Sequence, residues 1–224
     1  MSHDLLIEFG PREYMKRLLE HGEVYMNTLA SYRGNEHDTE RHDPFEGLER
    51  IMQMKGAKLS RKNSATGNNE EVALLTGGIG RIKNSNLDKI NVYCVFHFAI
   101  PFDENVPLGE VVDQRVWSGF GDTAVVIGDA AEFITRVKNE AHRCGLSHWR
   151  SSVEYVDMSK RHDEVGPFVK DLAFAHQQEL RIAVFDETAE PGPIKVKIGN
   201  IADIACLVPA DEIGKITVQS CATT

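Results

Sequence analysis

The residues with the clearest chemical potential lie late in the chain, in the segment 177–184, Gln-Gln-Glu-Leu-Arg-Ile-Ala-Val. Side chains alternate between the two faces of a strand, so this segment predicts Gln177, Glu179 and Arg181 on one accessible face. An amide and a carboxylate about 7 Å apart on one strand face can bind two sugar hydroxyls. The carboxylate also suits stabilisation of an oxocarbenium-like ribose. The alternative is a solvated strand end in which Glu179 pairs with Arg181, which contributes little free energy.

A second candidate is the segment 116–122, Val-Trp-Ser-Gly-Phe-Gly-Asp. The ring of Trp117 offers a flat surface for stacking a heteroaromatic ligand, and Ser118 adjoins it just before a predicted buried strand. The alternative is a core tryptophan beside a glycine-rich turn. The glycines do not complete a G-x-G-x-x-G fingerprint, so a Rossmann unit is not predicted.

A third candidate is the segment 43–47, Asp-Pro-Phe-Glu-Gly, which predicts a stiff turn. Phe45 is expected to anchor this turn in the core, which leaves Asp43 and Glu46 for polar contacts. Tyr32 and Arg33 lie a few residues upstream. The alternative is that the segment only anchors a loop.

The nine histidines give a weaker signal. His37, His42 and Asp43 form a local cluster that suits a metal-dependent hydrolase, but the spacing of the two imidazoles is not a strong zinc pattern. We therefore predict no metal site. His97 lies within a predicted buried strand, where it either serves a site or packs as a core histidine.

Charge and composition narrow the function classes. The formal net charge of −9 argues against a broad electrostatic grip on nucleic acid or an anionic membrane. A local basic site is compatible with this net charge. Its candidate residues are Lys58, Arg61 and Lys62, in a polar stretch at 55–70 that is predicted to be a mobile loop. The sequence shows no signal peptide, no C-x-x-C pair and no apolar run near the roughly 20 residues of a spanning helix. We expect a reduced, cytoplasmic protein with no membrane partner.

The elements that must position these residues follow from hydrophobic periodicity. Residues 4–26 predict a strand, a helix that ends at Gly22 and a second strand, and Asp129 is expected to cap a helix that runs to about Cys144. Strands outnumber helices and do not alternate with them, which excludes a regular doubly wound sheet. We predict one α+β domain over 1–224, with a mixed or split sheet and two or three packed helices. The further segments are predicted strands at 48–54, 71–76, 89–100, 123–127, 152–156, 179–185, 194–198 and 204–208, and a helix at 168–174.

Three segments together resemble a large, poorly characterised bacterial domain-of-unknown-function family. They are Asp-Pro-Phe-Glu-Gly at 43–47, Val-Trp-Ser-Gly-Phe-Gly-Asp at 116–122 and Phe-Ala-His-Gln-Gln-Glu-Leu-Arg at 174–181. That family carries Asn-Asp-Pro-Phe-Glu, Trp-x-His-Tyr and Glu-x-Glu-Tyr-Arg motifs. The chain departs from that family at five positions, namely His42, Gly119, Phe120, Gln177 and Phe174, the last of which stands where the family has a late Trp.

The late strand also resembles that of the ADP-ribosyltransferase superfamily, which reads Glu-x-Glu or Gln-x-Glu before apolar residues. The resemblance implies an ADP-ribosyltransferase-like fold, NAD as a substrate, and transfer to a protein or nucleic-acid acceptor. It implies that Glu179 binds the nicotinamide ribose and promotes cleavage of the glycosidic bond, with Gln177 directed toward the acceptor. A toxin or phage-conflict effector is the biological role that fits.

The same resemblance implies roles for the remaining candidates. Trp117 and Ser118 are expected to form the nicotinamide wall, while Arg181, Lys58, Arg61 and Lys62 are expected to contact the acceptor. The superfamily's first strand supplies an Arg or a His, and residues 5–10, Leu-Leu-Ile-Glu-Phe-Gly, contain neither. The NAD contacts are therefore assigned to Tyr32, Arg33 and His97, with Arg12 as a further candidate.

The missing first-strand Arg or His favours an alternative function. In that alternative the chain is a non-catalytic binding protein of the same fold, such as a defence-system sensor, an inhibitor or the partner of an antitoxin.

Overall fold

Strands are the most numerous elements of the fold. The computed structural model describes residues 2–34, 40–64, 66–101, 105–186 and 190–219. In chain order the strands are β1 (Ser2–Gly10), β2 (Glu23–Thr28), β3 (Arg50–Gln53), β4 (Lys58–Lys62), β5 (Asn69–Leu74), β6 (Ile79–Ile82), β7 (Asn91–Pro101), β8 (Asn105–Pro107), β9 (Thr123–Ile127), β10 (Ser147–Ser152), β11 (Glu154–Val156), β12 (Val169–Asp171), β13 (Glu179–Phe185), β14 (Ile194–Lys197), β15 (Ala205–Pro209) and β16 (Thr217–Gln219). The α-helices are α1 (Arg12–His21), α2 (Leu29–Gly34), α3 (Ser85–Asp88), α4 (Leu108–Val111), α5 (Gln114–Gly119) and α6 (Ala130–Arg143). Two 3₁₀ helices span Leu172–Gln177 and Ala210–Lys215.

The main sheet has eight strands, and its neighbours are all antiparallel. Six of them run in the order β10-β13-β7-β1-β9-β15, and β2 joins the sheet through β7 and carries β14 on its other edge. Four two-stranded sheets accompany it: β11–β12, β16–β8, β3–β6 and β4–β5. The antiparallel main sheet with helices packed on it confirms the coarse prediction of a mixed α and β fold without a doubly wound sheet.

The sheet opens along one edge of β7. On one side, β7 pairs with β13 from Phe96 back to Asn91. On the other side, it pairs with β1 from Pro101 back to Phe96, and then only Val92 and Asn91 pair with β2. The strands β1 and β2 therefore diverge at the residues between Val92 and Phe96, and a split forms there in the sheet.

Two apolar layers cover the two faces of the main sheet. On one face, α1 and α6 pack over a core that contains Leu6, Val95, Phe133, Leu180 and Ile182. On the other face, α4, α5 and the second 3₁₀ helix cover a core with members Ile7, Phe9, Phe96, Val116 and Ile213. Each large side chain buried in this way stabilises the fold by about 1.5–3 kcal/mol.

The ends of the two longest helices follow from single residues. The helix α1 stops at Gly22, which adopts the left-handed conformation at φ 58° and donates its N–H to the Leu18 carbonyl at 2.9 Å. The helix α6 begins after Asp129, whose carboxylate accepts the Glu132 N–H at 2.9 Å. Both termini confirm the expectations from sequence.

The structure corrects two predicted segments. Residues 55–70 were expected to be a loop, but most of them form the exposed hairpin of β4 and β5, since the two charged strands pair with each other. The helix expected at 168–174 is instead the strand β12 followed by a 3₁₀ helix. The segment 114–119, for which no element was predicted, forms the short helix α5, and Asp113 caps it by accepting the Arg115 N–H at 2.9 Å.

The remaining predicted elements are largely confirmed. The strands β1, β2, β3, β5, β7, β9, β11, β13, β14 and β15 and the helices α1 and α6 lie where periodicity places them, with shifts of a few residues at their ends. The strand β10 is missing from the prediction, because His148, Trp149 and Arg150 leave it without an apolar alternation. No helix within the described residues is long and apolar enough to cross a membrane.

Two helix-ending glycines give a test of the packing around α1. A Cβ added at Gly22 would lie 2.0 Å from the Gly199 carbonyl oxygen, whereas one at Gly145, at φ 75°, would meet nothing within 4 Å. We expect Gly145→Ala to lower the free energy of unfolding by about 1 kcal/mol, from the left-handed backbone alone. Gly22→Ala should lower it by about 3 kcal/mol, because the backbone must also shift. Urea unfolding of both variants measures the difference, and equal losses would contradict the close contact.

Candidate functional site

A buried arginine forms the base of the candidate site. The side chain of Arg181 is 1% exposed, and its Nε donates to Glu179 Oε2 at 2.8 Å. Its Nη1 and Nη2 donate to the two carboxylate oxygens of Glu46 at 2.6 and 2.9 Å, and Nη1 also donates to the Pro167 carbonyl at 2.7 Å. This bidentate pairing fixes the loop that carries Glu46 against the strand β13.

A buried lysine completes the charge network. Lys170, on β12, is 3% exposed and donates to Glu179 Oε1 at 2.8 Å and to Gln177 Oε1 at 2.6 Å. Its ammonium group also lies 4.6 Å from the centre of the Phe174 ring. The amide of Gln177 donates to the Glu40 carbonyl at 2.6 Å. Lys170 therefore joins the two residues of the predicted Gln-x-Glu pair.

The two cations decide the protonation state of Glu179. Burial by itself raises the pKa of this carboxyl, but Arg181 and Lys170 outweigh burial and lower its pKa to about 2. A carboxylate with so low a pKa is a weak base at neutral pH. Its chemical use is therefore electrostatic: it places a fixed negative charge in a site shielded from water.

The segment 43–47 anchors the loop beside this network. Asp43 is fully buried, and its carboxylate accepts the Phe45 N–H at 2.8 Å and the Asp171 N–H at 3.2 Å. Arg33 donates to the Glu46 carbonyl at 2.8 Å and pairs with Asp88 at 2.5 Å. The segment thus serves loop anchoring, and Glu46 supplies the carboxylate that Arg181 needs.

A cavity lies where the sheet splits. Its volume is about 80 Å³, and an adjoining cavity of about 50 Å³ shares five of its lining residues. The shared residues are Glu8, Cys94, Phe120, Gln177 and Glu179. The larger cavity is also lined by Tyr32, Glu40, Arg41, Glu46, Lys170 and Arg181. Polar and aromatic side chains thus converge on one small, partly open space, whose volume is below the roughly 300–1,000 Å³ of ordinary small-ligand pockets.

A second carboxyl group faces this space from β1. Burial raises the pKa of Glu8 to about 8, with a further increase from the Glu179 charge and opposing effects of Arg41 and Tyr93. Glu8 is half-buried by surface area because it borders the cavity, yet protein surrounds its carboxyl group. The Tyr93 hydroxyl is its electrostatic neighbour, but among the described residues it meets no partner within hydrogen-bonding geometry. At neutral pH Glu8 is therefore mainly protonated.

The cavity holds one thiol, which is not poised as a nucleophile. Burial raises the pKa of Cys94, and the Glu179 charge raises it further, while Arg181 and Lys170 oppose this effect. Nucleophilic cysteines require the opposite shift, since the thiolate is the reactive form. Cys94 thus contributes shape to the cavity wall.

The structure brings four of the predicted site residues to this cavity. Glu179, Gln177, Tyr32 and Arg181 all line it. Gln177 precedes the strand, at the end of a 3₁₀ helix, rather than lying on it. The expected accessible face of Glu179 and Arg181 is wrong, because the loop 43–47 and Lys170 cover it. Arg181 is enclosed by the protein's own carboxylates and is not exposed to an acceptor.

The other predicted residues lie elsewhere. Trp117 lines a separate surface depression with Gln178, and the Ser118 hydroxyl donates to the Gln114 carbonyl of its own helix. His97 pairs with Asp4 at 3.0 Å on the sheet face opposite Cys94. Arg33 lies behind Glu46 rather than in the cavity. The structure thus places these four residues outside the Glu179 cavity, and their expected contacts with NAD stay predictions.

The basic hairpin is largely neutralised by its own acids. Lys58 pairs with Glu71 at 2.9 Å and Arg61 with Glu70 at 3.6 Å across the two exposed strands. Lys62 lies at the end of the same strand β4. Contact of these three residues with an acceptor stays a prediction, and the mobility of the hairpin does too.

The hypothesis of a metal-dependent hydrolase that uses His37, His42 and Asp43 gains no support from the geometry. Asp43 uses its two carboxylate oxygens for backbone N–H groups, and His37 lies outside the described residues. Within the part of the chain that the structure describes, no three metal-ligating side chains are grouped for an ion.

Sequence reasoning missed Glu8, Lys170, Arg41 and Phe120. Glu8 had a visible signal, because it is the one charged residue within the apolar run Leu-Leu-Ile-Glu-Phe of the first strand. An acid in such a run must find a cavity, a cation or a proton. Lys170 had no comparable signal, since it lies between Val169 and Asp171 in a segment that was predicted to be helical. Phe120 and Arg41 come together only in the fold, with the guanidinium 4.7 Å from the ring centre.

Comparison with family models, curated proteins and solved structures finds no match for this chain.

Removal of one partner tests the buried network. We expect Glu46→Gln to lower the free energy of unfolding by about 3 kcal/mol, because Arg181 then stays buried with only one of its two carboxylate partners, Glu179. The matched control is Glu71→Gln, which removes one carboxylate of the exposed pair with Lys58 and should lower it by less than about 1 kcal/mol. Urea unfolding at neutral pH compares the two variants. Losses of similar size would show that the network does not stabilise the fold.

The raised pKa of Glu8 predicts a specific pH dependence of stability. In the unfolded chain this carboxyl ionises near its ordinary value of 4.5, and in the fold near 8. Its favourable contribution is fully present below the lower value and is lost as the pH rises through the higher one. We therefore expect Glu8→Gln, relative to the parent chain, to be more stabilising at pH 9 than at pH 5. Thermal unfolding at both values measures this, with the exposed Glu20→Gln as the control, and a pH-independent difference would contradict the shift.

Proposed function

We propose that this chain is an ADP-ribosyltransferase-like enzyme that cleaves the N-glycosidic bond of NAD and transfers the ADP-ribosyl group to a macromolecular acceptor. The observation that carries the proposal is the buried, ionised carboxylate of Glu179 on the wall of a cavity that a protonated Glu8 also lines. A fixed carboxylate of this kind stabilises the oxocarbenium-like transition state of glycosidic cleavage. The resemblance of the late strand to the superfamily supports the same reaction class.

The proposed step needs one fixed negative charge. The bond between the ribose C1′ and the nicotinamide nitrogen breaks, and its electron pair goes to that nitrogen, so nicotinamide leaves as a neutral molecule. The ribose becomes oxocarbenium-like, and Glu179 stabilises its positive charge. An acceptor nucleophile then bonds to C1′ and releases its proton to solvent. Glu8, being neutral, adds no charge to the site and is able to donate a hydrogen bond to the ligand.

The hydrogen bonds already made by Glu179 leave room for a ligand. A carboxylate has about four lone-pair positions, and Lys170 and Arg181 occupy one on each oxygen. The remaining positions can accept ribose hydroxyl groups without breaking the network. Gln177 differs, since its amide oxygen and nitrogen are both engaged with Lys170 and Glu40. In this proposal Gln177 positions Lys170 and does not bind the acceptor itself.

The cavity also supplies aromatic surface. Phe120 lines both cavities, and Tyr32 lines the larger one. Aromatic rings are suited to stack on a planar heterocycle such as nicotinamide. Arg41 lies over the Phe120 ring and borders the cavity, where a cation would face the phosphates of a dinucleotide. Phe120 and Tyr32 thus take the role first expected of Trp117 and Ser118.

A specific observation favours a second candidate, a non-catalytic binding or interaction protein of the same fold. Both carboxylate oxygens of Glu179, and both the oxygen and the nitrogen of the Gln177 amide, already have partners in this chain. Such a connected set of hydrogen bonds is typical of a network that maintains a shape. In this candidate the chain is a defence sensor or an inhibitor, and a pull-down would recover one stoichiometric protein partner.

Radiolabelled NAD distinguishes the two candidates. Incubation of the protein with labelled NAD and cell lysate should give both loss of NAD and label on a macromolecule. Glu179→Gln should reduce both by about 10²–10³-fold, which is the usual effect of removing one preorganised electrostatic contact. A folded parent chain that leaves NAD intact, with no thermal shift on adding NAD, would overturn the proposal and favour the binding protein.

Two controls keep this experiment decisive, since Glu179 is also part of the buried network. The far-ultraviolet circular dichroism of Glu179→Gln must match that of the parent chain. Glu8→Gln keeps the neutral state of Glu8, so it should retain activity near neutral pH. It should also lack the fall in rate that we expect of the parent chain above about pH 8, where Glu8 ionises. The exposed Glu20→Gln should match the parent chain at every pH.

A further inference from the structure

A second concave surface lies on the other face of the sheet, between α6 and the edge strand β10. Its volume is about 290 Å³, and Ile182 of β13 forms its floor. The wall from α6 carries Ala131, Ile134, Thr135 and Lys138. Residues three and four positions apart share one face of a helix, so His142 continues this row toward β10.

The opposite wall is basic. His148 and Arg150 lie two residues apart on β10, so both point to the face of Ile182, which is the register partner of Arg150. The imidazole rings of His142 and His148 are in contact, with centroids 4.7 Å apart. Lys138, His142, His148 and Arg150 thus converge from two elements on one cleft.

None of these four groups has an acidic partner within the described part of the chain. The only acids of α6 are Glu132 and Glu140, which pair with Arg136 and Arg143. The strand β10 contains no acid, and the one acid of β13, Glu179, lies on the other face of the sheet. The pKa of His148 is lowered by burial and by its neighbours His142 and Lys138. This direction is expected where basic groups lie close together without an acidic partner. The chain as a whole has a formal net charge of −9, so this group of basic side chains is opposite in sign to the overall charge.

We propose that the cleft between α6 and β10 is a binding site for a small phosphate-bearing ligand. The guanidinium of Arg150 matches two phosphate oxygens with parallel N–H groups, and Lys138 adds a compact charge from the other wall. His148 lines the same cleft and can donate its ring N–H. The apolar surface formed by Ile182 of the floor and by Ala131 and Ile134 of the α6 wall suits the organic part of a phosphate ester. The site is separate from the Glu179 cavity and does not rest on the proposed reaction.

Titration with inorganic pyrophosphate tests the site directly. The readout is the pKa of the His148 imidazole, followed by nuclear magnetic resonance and assigned with His148→Asn. A bound anion should raise this pKa by about 1 unit or more, since an opposite charge within 4–6 Å favours the protonated ring. Lys138→Gln and Arg150→Gln should each weaken pyrophosphate binding about tenfold, which corresponds to one lost charge-assisted contact.

The matched control is Lys16→Gln, an exposed lysine on α1 that loses the same charge far from the cleft. It should leave pyrophosphate affinity unchanged. The proposal is overturned if saturating pyrophosphate leaves the His148 pKa unmoved, or if Lys16→Gln weakens binding as much as Lys138→Gln, because binding would then be diffuse. A single-stranded oligonucleotide that binds through the cleft more tightly than pyrophosphate, with steep salt dependence, would also overturn it and indicate a nucleic-acid surface.

Discussion

The burial of one guanidinium group constrains the whole candidate site. Taking an ion out of water costs several kcal/mol, and Arg181 offsets that cost with four hydrogen bonds to Glu46, Glu179 and the Pro167 carbonyl. Lys170 adds a second cation, so two positive groups face two carboxylates. The loop of Glu46 is therefore joined to the sheet by charge rather than by a ladder of backbone hydrogen bonds. Any ligand that reaches Glu179 therefore meets a carboxylate that is already paired with two cations.

The split sheet explains why two carboxyl groups in one cavity differ in protonation. Glu179 lies on β13, on the side of β7 where Lys170 and Arg181 reach it. Glu8 lies on β1, at the point where that strand leaves β7, and Arg41 is the one cation that opposes its protonation. Desolvation therefore decides the state of Glu8, and ion pairing decides the state of Glu179. The same residue type is thus an acid on β1 and a carboxylate on β13, because only Glu179 forms ion pairs with two buried cations.

Much of the fold could be predicted because its signals are local. The continuous apolar runs of β7 and β9 and the caps of α1 and α6 lie within a few residues of the elements that they define. Alternation also separated the Glu179 face of β13 from the Leu180 face. It could not tell which face the chain would cover, because Glu46 is 135 positions away from Arg181. The helix of Trp117 has only six residues, so its direction depended on tertiary packing rather than on periodicity.

The backbone at Gln178 has a consequence for sequence divergence. Gln178 is the one non-glycine residue with positive φ among those described, at φ 42° and ψ 51°. This left-handed bend lets Gln177 and Glu179 reach the same lysine, whereas a straight strand would hold them about 7 Å apart. Valine, isoleucine and threonine are strained in this conformation, and proline cannot adopt it. A distant relative that keeps the cavity should therefore carry glycine, asparagine or another unbranched residue here, which gives a filter for recognising one when the flanking motifs have changed.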